Sequence, residues 1–533
     1  MNTTRRTLFD ALAVIVACVG VVSMVHAEEA KRGGVLKIQS FQFPRHFNIA
    51  IDAGPGPALP GTQIFGSLLR FNDEWEPVPY FAKKWTIASD GLTYTFHLVE
   101  NATFHDGKPV TSADVAFSVD VVKNHSPFGV AMFAAVDRVE TPDPHTAVFK
   151  LSRPHPALLL SLSPMLMPIL PKHVYSTGPI RTHPANVKPI GSGPYKLVEF
   201  KPNDYFILER YENYFRPGLP YLDQIIGRRV ADSTAAEIGF RQGEFHFTSF
   251  GGGLGYRNIT RLKDVERLVV TQRGYDALGP QTFLEFNLRK APFDNALVRR
   301  AVAYAIDKEF LIQNLLEGLP KRLTGPIPST FPQYTDQVER YDFDLAKANR
   351  LLDEAGLTPK ANGIRFATRV DWFPTTALRS VAEYLKPQLR KVGIDVELRP
   401  APDYGTFQKR QASWDFDLTV SVYLGYADPV IGVHRKYLCD NIKQVIWTNT
   451  QGYCNPKVDE LLKKASVERN SERRRALYVE FQKVVTQDSP LAFLYEQPLF
   501  TIHDRDLRNV PKGIWGGLEA LDEVWWKDGR EPK

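Results

Sequence analysis

The chain has 533 residues, 43% of them apolar and 24% charged, with a net charge of +6. That length exceeds one ordinary hydrophobic core, so two or three domains are expected. The charge excess is small and no Lys/Arg block occurs, which argues against nucleic acid as a partner.

The N-terminus reads as a targeting segment. Arg5 and Arg6 precede an apolar run from Leu12 to Val22, and Val25-His26-Ala27 ends as a small-residue cleavage site. This pattern predicts a secretory signal peptide over 1–27. The run is short for a spanning helix, and no later stretch reaches the length a membrane span needs. Residues Thr4 to Phe9 resemble a twin-arginine signal, although an Arg pair also serves as plain positive charge. Ile15-Val16-Ala17-Cys18 resembles a lipoprotein box, but the residues after Cys18 stay apolar, so lipid anchoring is not expected. Removal of the segment leaves Cys439 and Cys454. An even pair in an exported chain points to one disulfide, two free thiols being the alternative.

After Lys31-Arg32-Gly33-Gly34 a strand opens at Val35. Gly and Pro then predict loop to about Gly61, followed by an amphipathic helix over 63–71. Trp85, the Ser89-Asp90-Gly91 turn, an alternating strand over 93–98 and the turn Phe104-His105-Asp106-Gly107 come next; Thr111 or Ser112 caps the following helix. His97 and His105 flank turns and read as structural, because no Cys/His/carboxylate cluster has metal-ligand spacing. Residues 126–190 hold short strands and Pro-rich turns. Ile190-Gly191-Ser192-Gly193-Pro194-Tyr195-Lys196 lacks the Lys-Ser/Thr helix start of a phosphate cradle and is no nucleophile elbow; it reads as a turn before a strand. Gly251-Gly252-Gly253 lets backbone approach a ligand closely, or forms a plain flexible turn.

Apolar residues alternate over 283–288 as in a half-buried strand. Asp294 caps a helix carrying Val298, Ala301, Val302 and Ala305. Asp307 caps a second, with Phe310, Leu311, Leu315 and Leu316 inward and Gly318 at its end. A helix over 345–355, a strand over 365–371, a helix over 377–392 and a strand over 394–398 make a βαβ unit with a parallel sheet. A helix over 461–488 and a strand over 490–495 lead back.

Asn287, Arg289, Pro292, Phe293, Asp294, Val298, Arg299, Ala301, Ala305, Ile306 and Asp307 stand as N-x-R-x-x-P-F-x-D-x-x-V-R-x-A-(hydrophobic)-x-x-A-I-D. This run resembles the signature of the family 5 extracellular solute-binding proteins. The Trp85-to-Val115 segment, Ile190 to Lys196 and Tyr211 to Gly218 are similar to further signatures of that family, and the resemblance covers nearly all of 31–533. One departure is His246, near a position where the family often has Asp. The resemblance implies an α/β, two-lobed periplasmic-binding-protein fold (type II, large cluster C) with an extra subdomain on the first lobe and two hinge crossings. Lobe I is expected over 28–285, with the extra subdomain at about 62–190. Lobe II is expected over 286–492 and a return to lobe I over 493–533, the crossings falling near 284–288 and 491–496.

By the same resemblance, the protein is a monomeric periplasmic receptor. It closes on a small-molecule ligand (peptide, opine, oligosaccharide or similar) and delivers it to an inner-membrane ABC permease complex. No cofactor, metal, catalysis or nucleic acid is implied. A periplasmic sensor or chaperone on the same fold is one alternative, and a secreted hydrolase another, though no catalytic motif is recognisable.

The candidate ligand stretch is 414–429. In peptide-binding relatives an aromatic-x-x-Asp-x-x-(Asp/Glu)-Pro pattern stands here, and its first Asp pairs with the ligand's α-ammonium. Counting back from Pro429, that position is Gly425; Tyr423 is the aromatic wall and Asp428 the acid before Pro. Either Asp428 substitutes, or the ligand is not read through a free peptide amine. The second is favoured, since a buried ammonium without a carboxylate is costly. The expected ligand-binding residues are Tyr423, Gly425, Tyr426, Asp428, Trp372, Trp414, Gly251 and Gly252, with core packing the alternative for the aromatics. Arg435 and Lys436 are expected as solvated surface, a carboxylate clamp being the alternative.

Overall fold

Three sheets organise the chain in a computed structural model, which describes residues 28–52 and 54–532. The signal-peptide, twin-arginine and lipoprotein readings fall on 1–27, outside the described residues. The first sheet has seven strands in the order Leu268–Thr271, Thr501–Asp504, Phe247–Thr248, Val35–Ser40, Gln224–Arg229, Tyr205–Arg210, Tyr195–Lys201. The second has six: Lys321–Arg322, Leu491–Glu496, Gln281–Phe286, Leu418–Tyr423, Phe366–Trp372, Ile394–Leu398. A four-stranded antiparallel sheet of Ala82–Ile87, Thr93–Leu98, Thr146–Leu151 and Val136–Asp143 shares one continuous apolar core with the first. Helices cover the second sheet, and the parallel pairing of Phe366–Trp372 with Ile394–Leu398 around the helix Thr376–Arg390 is the expected βαβ unit.

Local chemistry explains much of this. The helix Ser112–His125 begins at Thr111, whose N–H and hydroxyl both donate to Asp114 Oδ2, at 2.9 and 2.7 Å. Such a cap is worth about 1 kcal/mol. The Ile190-to-Lys196 signature is a packing device. A Cβ on Gly191 would lie 1.9 Å from the Ile64 carbonyl oxygen, and Gly193 N–H donates to that oxygen at 2.7 Å. His105 braces the turn, its Nδ1 accepting Gly191 N–H and its Nε2 bonding the Gly193 carbonyl; burial pushes its pKa down to about 4.

Several expectations are corrected. The stretch 55–61, expected as loop, lies in the helix Pro55–Ile64, and Leu69–Phe71, expected within a helix, is a strand pairing with Pro77–Pro79. The first-turn prolines sacrifice only N–H groups that have no helical partner, Pro60 inside the helix gives up one, and burial of Ala58, Leu59 and Ile64 offsets it. Gln281–Phe286 is buried on both faces rather than one. It is a central strand, sending Leu284 and Phe286 into one core and Phe283 into another. Asn295, not Asp294, caps the helix Ala296–Ala305 through Leu297 N–H; Asp294 gives its carbonyl to Arg299. Asp307 does cap the next turn, but the helix widens to π geometry over Leu311–Leu315. Leu311, Ile312 and Leu316 are therefore buried, while Phe310 and Leu315 face out. The single helix expected over 461–488 is two, Pro456–Ala465 and Ser471–Asp488, because Asn470 starts a new helix by accepting Arg473 N–H.

Gln281–Phe286 and Leu491–Glu496 pair with each other inside the second sheet. The chain thus passes between the sheets at 272–280 and 497–500 rather than at 284–288 and 491–496. The expected boundaries at 285 and 492 shift accordingly.

Candidate functional site

The parallel strands Phe366–Trp372 and Leu418–Tyr423 end at the same edge of the second sheet. In open α/β sheets ligands bind outside such carboxyl ends. Here the edge is aromatic. Phe373 packs with Tyr404, Phe407 and Trp447 at 5.6, 5.5 and 6.1 Å between ring centroids, and Tyr404 is 43% exposed. The Tyr423 hydroxyl donates to the Trp447 carbonyl at 3.5 Å.

The loop after Tyr423 is tied to the crossing segments. Gly425 N–H donates to the Leu278 carbonyl at 2.7 Å, and Ala427 N–H to that of Ala277 at 2.5 Å. Tyr426 and Ala427 both have positive φ, +47° and +68°. Two successive non-glycine residues in this region cost free energy that surrounding structure must hold, and such strain collects at functional loops. The Tyr426 ring packs on that of Phe128 of the four-stranded-sheet unit, 4.2 Å between centroids and tilted by 43°, so the loop touches both halves of the molecule. Burial, partly opposed by the Arg435 charge, pushes its phenol up to about 12.

Gly425 has a steric reason to be glycine. A Cβ there would lie 2.6 Å from the Phe331 ring, which is buried and packs edge-on to Trp75 at 5.5 Å. Phe331 fills the space an aspartate side chain would need. Gly432 is equally constrained, since its Cβ would sit 1.9 Å from the Gly425 carbonyl oxygen.

Asp428 is engaged elsewhere. Its two oxygens take Arg474 Nη2 and Nη1 at 2.7 and 2.8 Å, and Oδ1 also accepts Val430 N–H. Burial alone would raise its pKa; the Arg474 guanidinium outweighs burial and holds the carboxyl below the usual range. Beside it, His434 bonds the Tyr478 hydroxyl at 2.9 Å, and burial pushes this imidazole down to about 3.

The remaining candidates divide. Trp372 is buried in the second sheet's core. Trp414 stands before the amino end of Leu418–Tyr423, at the opposite edge, where Arg289 covers its ring at 3.9 Å and Asn287 bonds its carbonyl. The strand separates it from Tyr423, so it does not join the aromatic edge. Gly251 and Gly252 have φ of +73° and +59°. Gly252 is needed for packing, because a Cβ would lie 2.3 Å from Gln39 Oε1. Gly251 is buried with open space where a Cβ would project, and its N–H donates to the Phe500 carbonyl in the second crossing. Neither Arg435 nor Lys436 is solvated surface. Lys436 is buried against Glu285 at 2.7 Å, and Arg435 lies among aromatic rings. Phe331, Phe128 and Arg474 carry no local sequence signal; Asp428 and Arg474 are 46 positions apart. Cys439 and Cys454 are disulfide-bonded, their Cα atoms 4.7 Å apart, and close the loop that carries Trp447.

Residues 76–444 match the family described as bacterial extracellular solute-binding proteins, family 5. The chain belongs to that family. A Brucella ovis protein named as an ABC transporter peptide-binding protein is 29% identical over 491 residues, covering 86% of this chain and 87% of its own length. The glutathione-binding protein GsiB of Escherichia coli K12 is 28% identical over 466 residues, covering 85% and 86%. Among solved structures, the ABC transporter substrate-binding protein CtaP of Listeria monocytogenes superposes with a TM-score of 0.80 at 25% identity, over 93% of this chain and all of its own. The fold is that of family 5 periplasmic binding proteins.

Proposed function

We propose that the protein is the substrate-binding component of an ABC importer and captures a small organic solute between its two halves, built on the seven- and six-stranded sheets. The observation that carries this is the aromatic edge at the carboxyl ends of Phe366–Trp372 and Leu418–Tyr423, faced by Phe128 of the other half. Two crossings, 272–280 and 497–500, can absorb a rotation while each half stays rigid. A solute entering between the halves is contacted by Tyr423, Tyr426 and the Phe373 cluster from one side. Gly251 and the strand ends of the first sheet meet it from the other. Solute binding favours the closed form only by the difference in its affinity for closed and open forms. The closed form then docks on the membrane permease, and the solute leaves chemically unchanged.

The relatives' names place peptides and glutathione among the solutes to test. Export by the segment 1–27 and a periplasmic location belong to the same reading. Native mass spectrometry of protein purified without refolding, followed by denaturing release, tests it. A retained small organic molecule, released unaltered, is the expected result. Conversion of that molecule by the protein would overturn the reading. So would unimpaired uptake of the molecule in cells lacking this chain.

A further inference from the structure

Arg435 has no carboxylate partner among the described residues. Its guanidinium carbon lies 4.3 Å from the Tyr423 ring centroid, 4.5 Å from Phe128 and 5.7 Å from Tyr426. It donates to two carbonyls, Nε to Gly432 at 3.1 Å and Nη2 to Leu424 at 3.5 Å. A guanidinium carries five N–H donors, and these two contacts leave most of them free in its plane, while the rings take its charge from other directions. The cations around it are satisfied, Lys436 by Glu285 and Arg474 by Asp428. Both acids that might have met a ligand ammonium in this loop are unavailable, one replaced by Gly425 under Phe331 and the other held by Arg474. Asp52, whose charge acts on Tyr426 from the other half, accepts Gly54 N–H at 2.9 Å through Oδ1.

We propose that Arg435 is a carboxylate anchor: the solute carries a carboxylate that this guanidinium takes through paired N–H donors, and its body lies on the aromatic edge. The inference rests on the solute-binding reading and names its chemical class, an organic acid that need not carry a free α-amine. A planar carboxylate matches the fork of the guanidinium, and the bond is strongest where water is thin. Phe128 comes from the four-stranded-sheet unit, so the ring cage around Arg435 is complete only when the two halves meet. Closure strips water from a charge that the protein leaves without a counter-ion; the ligand supplies one. Anion capture and closure are thereby linked.

The test uses the intact protein and matched sets: trialanine, trialaninamide and N-acetyl-trialanine; hippurate and hippuramide; succinate and succinamide; glutathione and its diamide. Thermal shift finds binders, and calorimetry measures them. Binding is expected only for members with a carboxylate, N-acetyl-trialanine included where trialanine binds. Arg435→Met should weaken the best binder about 100-fold and Arg435→Lys about 10-fold, with unliganded melting temperatures close to the parent. If Arg435→Met unfolds, Arg435→Gln serves instead. Equal binding of an amide and its acid, unchanged affinity in the Met or Gln variant, or no binding by any acid in the set would each overturn the assignment. A copurified solute without a carboxylate would also overturn it while leaving the transport reading intact.

Discussion

An aspartate introduced at Gly425 would meet the Phe331 ring 2.6 Å from its first side-chain atom. Overpacking of this kind costs about 1–3 kcal/mol. Gly425→Asp should therefore lower the urea midpoint, and adding Phe331→Ala should restore much of the loss. The double variant would then offer a carboxylate to an ammonium, and gain of binding to trialaninamide is the readout. Nearby, Arg474→Met leaves Asp428 buried and unpaired, which should cost about 3–5 kcal/mol in denaturant unfolding. His434 supplies a pH signature. Its native pKa is about 3 against an ordinary 6.5, so between these values the unfolded chain binds a proton that the native one refuses. Its contribution to stability therefore falls as pH drops from 6.5 toward 3, by about 1.4 kcal/mol per pH unit. In His434→Gln, which can still bond Tyr478, the slope of unfolding free energy over pH 4–6 should be shallower by that amount.

At the level of elements, the loop closed by Cys439 and Cys454 holds Asn449, Thr450 and Gln451 buried, and carries Trp447 to the aromatic edge. Replacing both cysteines by serine should cost about 3 kcal/mol, the loop-closure value for a separation of 15 residues. Fluorescence of Trp447 should redden as the loop loosens. Elements set by neighbouring residues are legible in the sequence: the Asp90-Gly91 turn, the cap at Thr111 or Ser112, the βαβ unit ending in Ile394–Leu398. The helix Pro55–Ile64 is not, because its prolines argue against it locally and only burial of Ala58, Leu59 and Ile64 favours it. Nor is the reversal of Phe310 and Leu315, since a π-turn shifts the period that the apolar pattern assumes. In the site, Gly425 and Asp428 follow from counting back from Pro429, and Tyr423 and Tyr426 from their place in the aromatic stretch before it. The commitment of Asp428 does not, as its partner stands on a helix 46 positions later. Trp414 belongs to the same candidate stretch as Tyr423, but the strand Leu418–Tyr423 puts it at the opposite edge.

For the whole molecule, the halves are joined at several points. Tyr426 and Arg435 both pack on Phe128, Trp75 meets Phe331, Arg257 pairs with Glu317 at 2.9 Å, and Arg469 Nη1 donates to the Ser89 carbonyl at 2.5 Å. Phe128→Ala and Arg469→Ala together should favour the open form, read as a larger radius of gyration in small-angle scattering of ligand-free protein, and a weaker affinity for whichever acid binds. The seven-stranded sheet carries one more consequence. Its strand Thr501–Asp504 lies between Leu268–Thr271 and Phe247–Thr248, and the tail beyond it brings Asp522 to Arg70 and Arg216 at 3.0 and 2.6 Å. A chain emerging N-terminus first has made every other strand of that sheet hundreds of residues before the one that fills its gap. Until then two adjacent edges lie open to pairing with other chains, and Arg70 lacks its Asp522 counter-charge. The half that is made first is thus the half that finishes last, and a chain cut short near residue 500 would carry a complete second sheet beside a first one that cannot close.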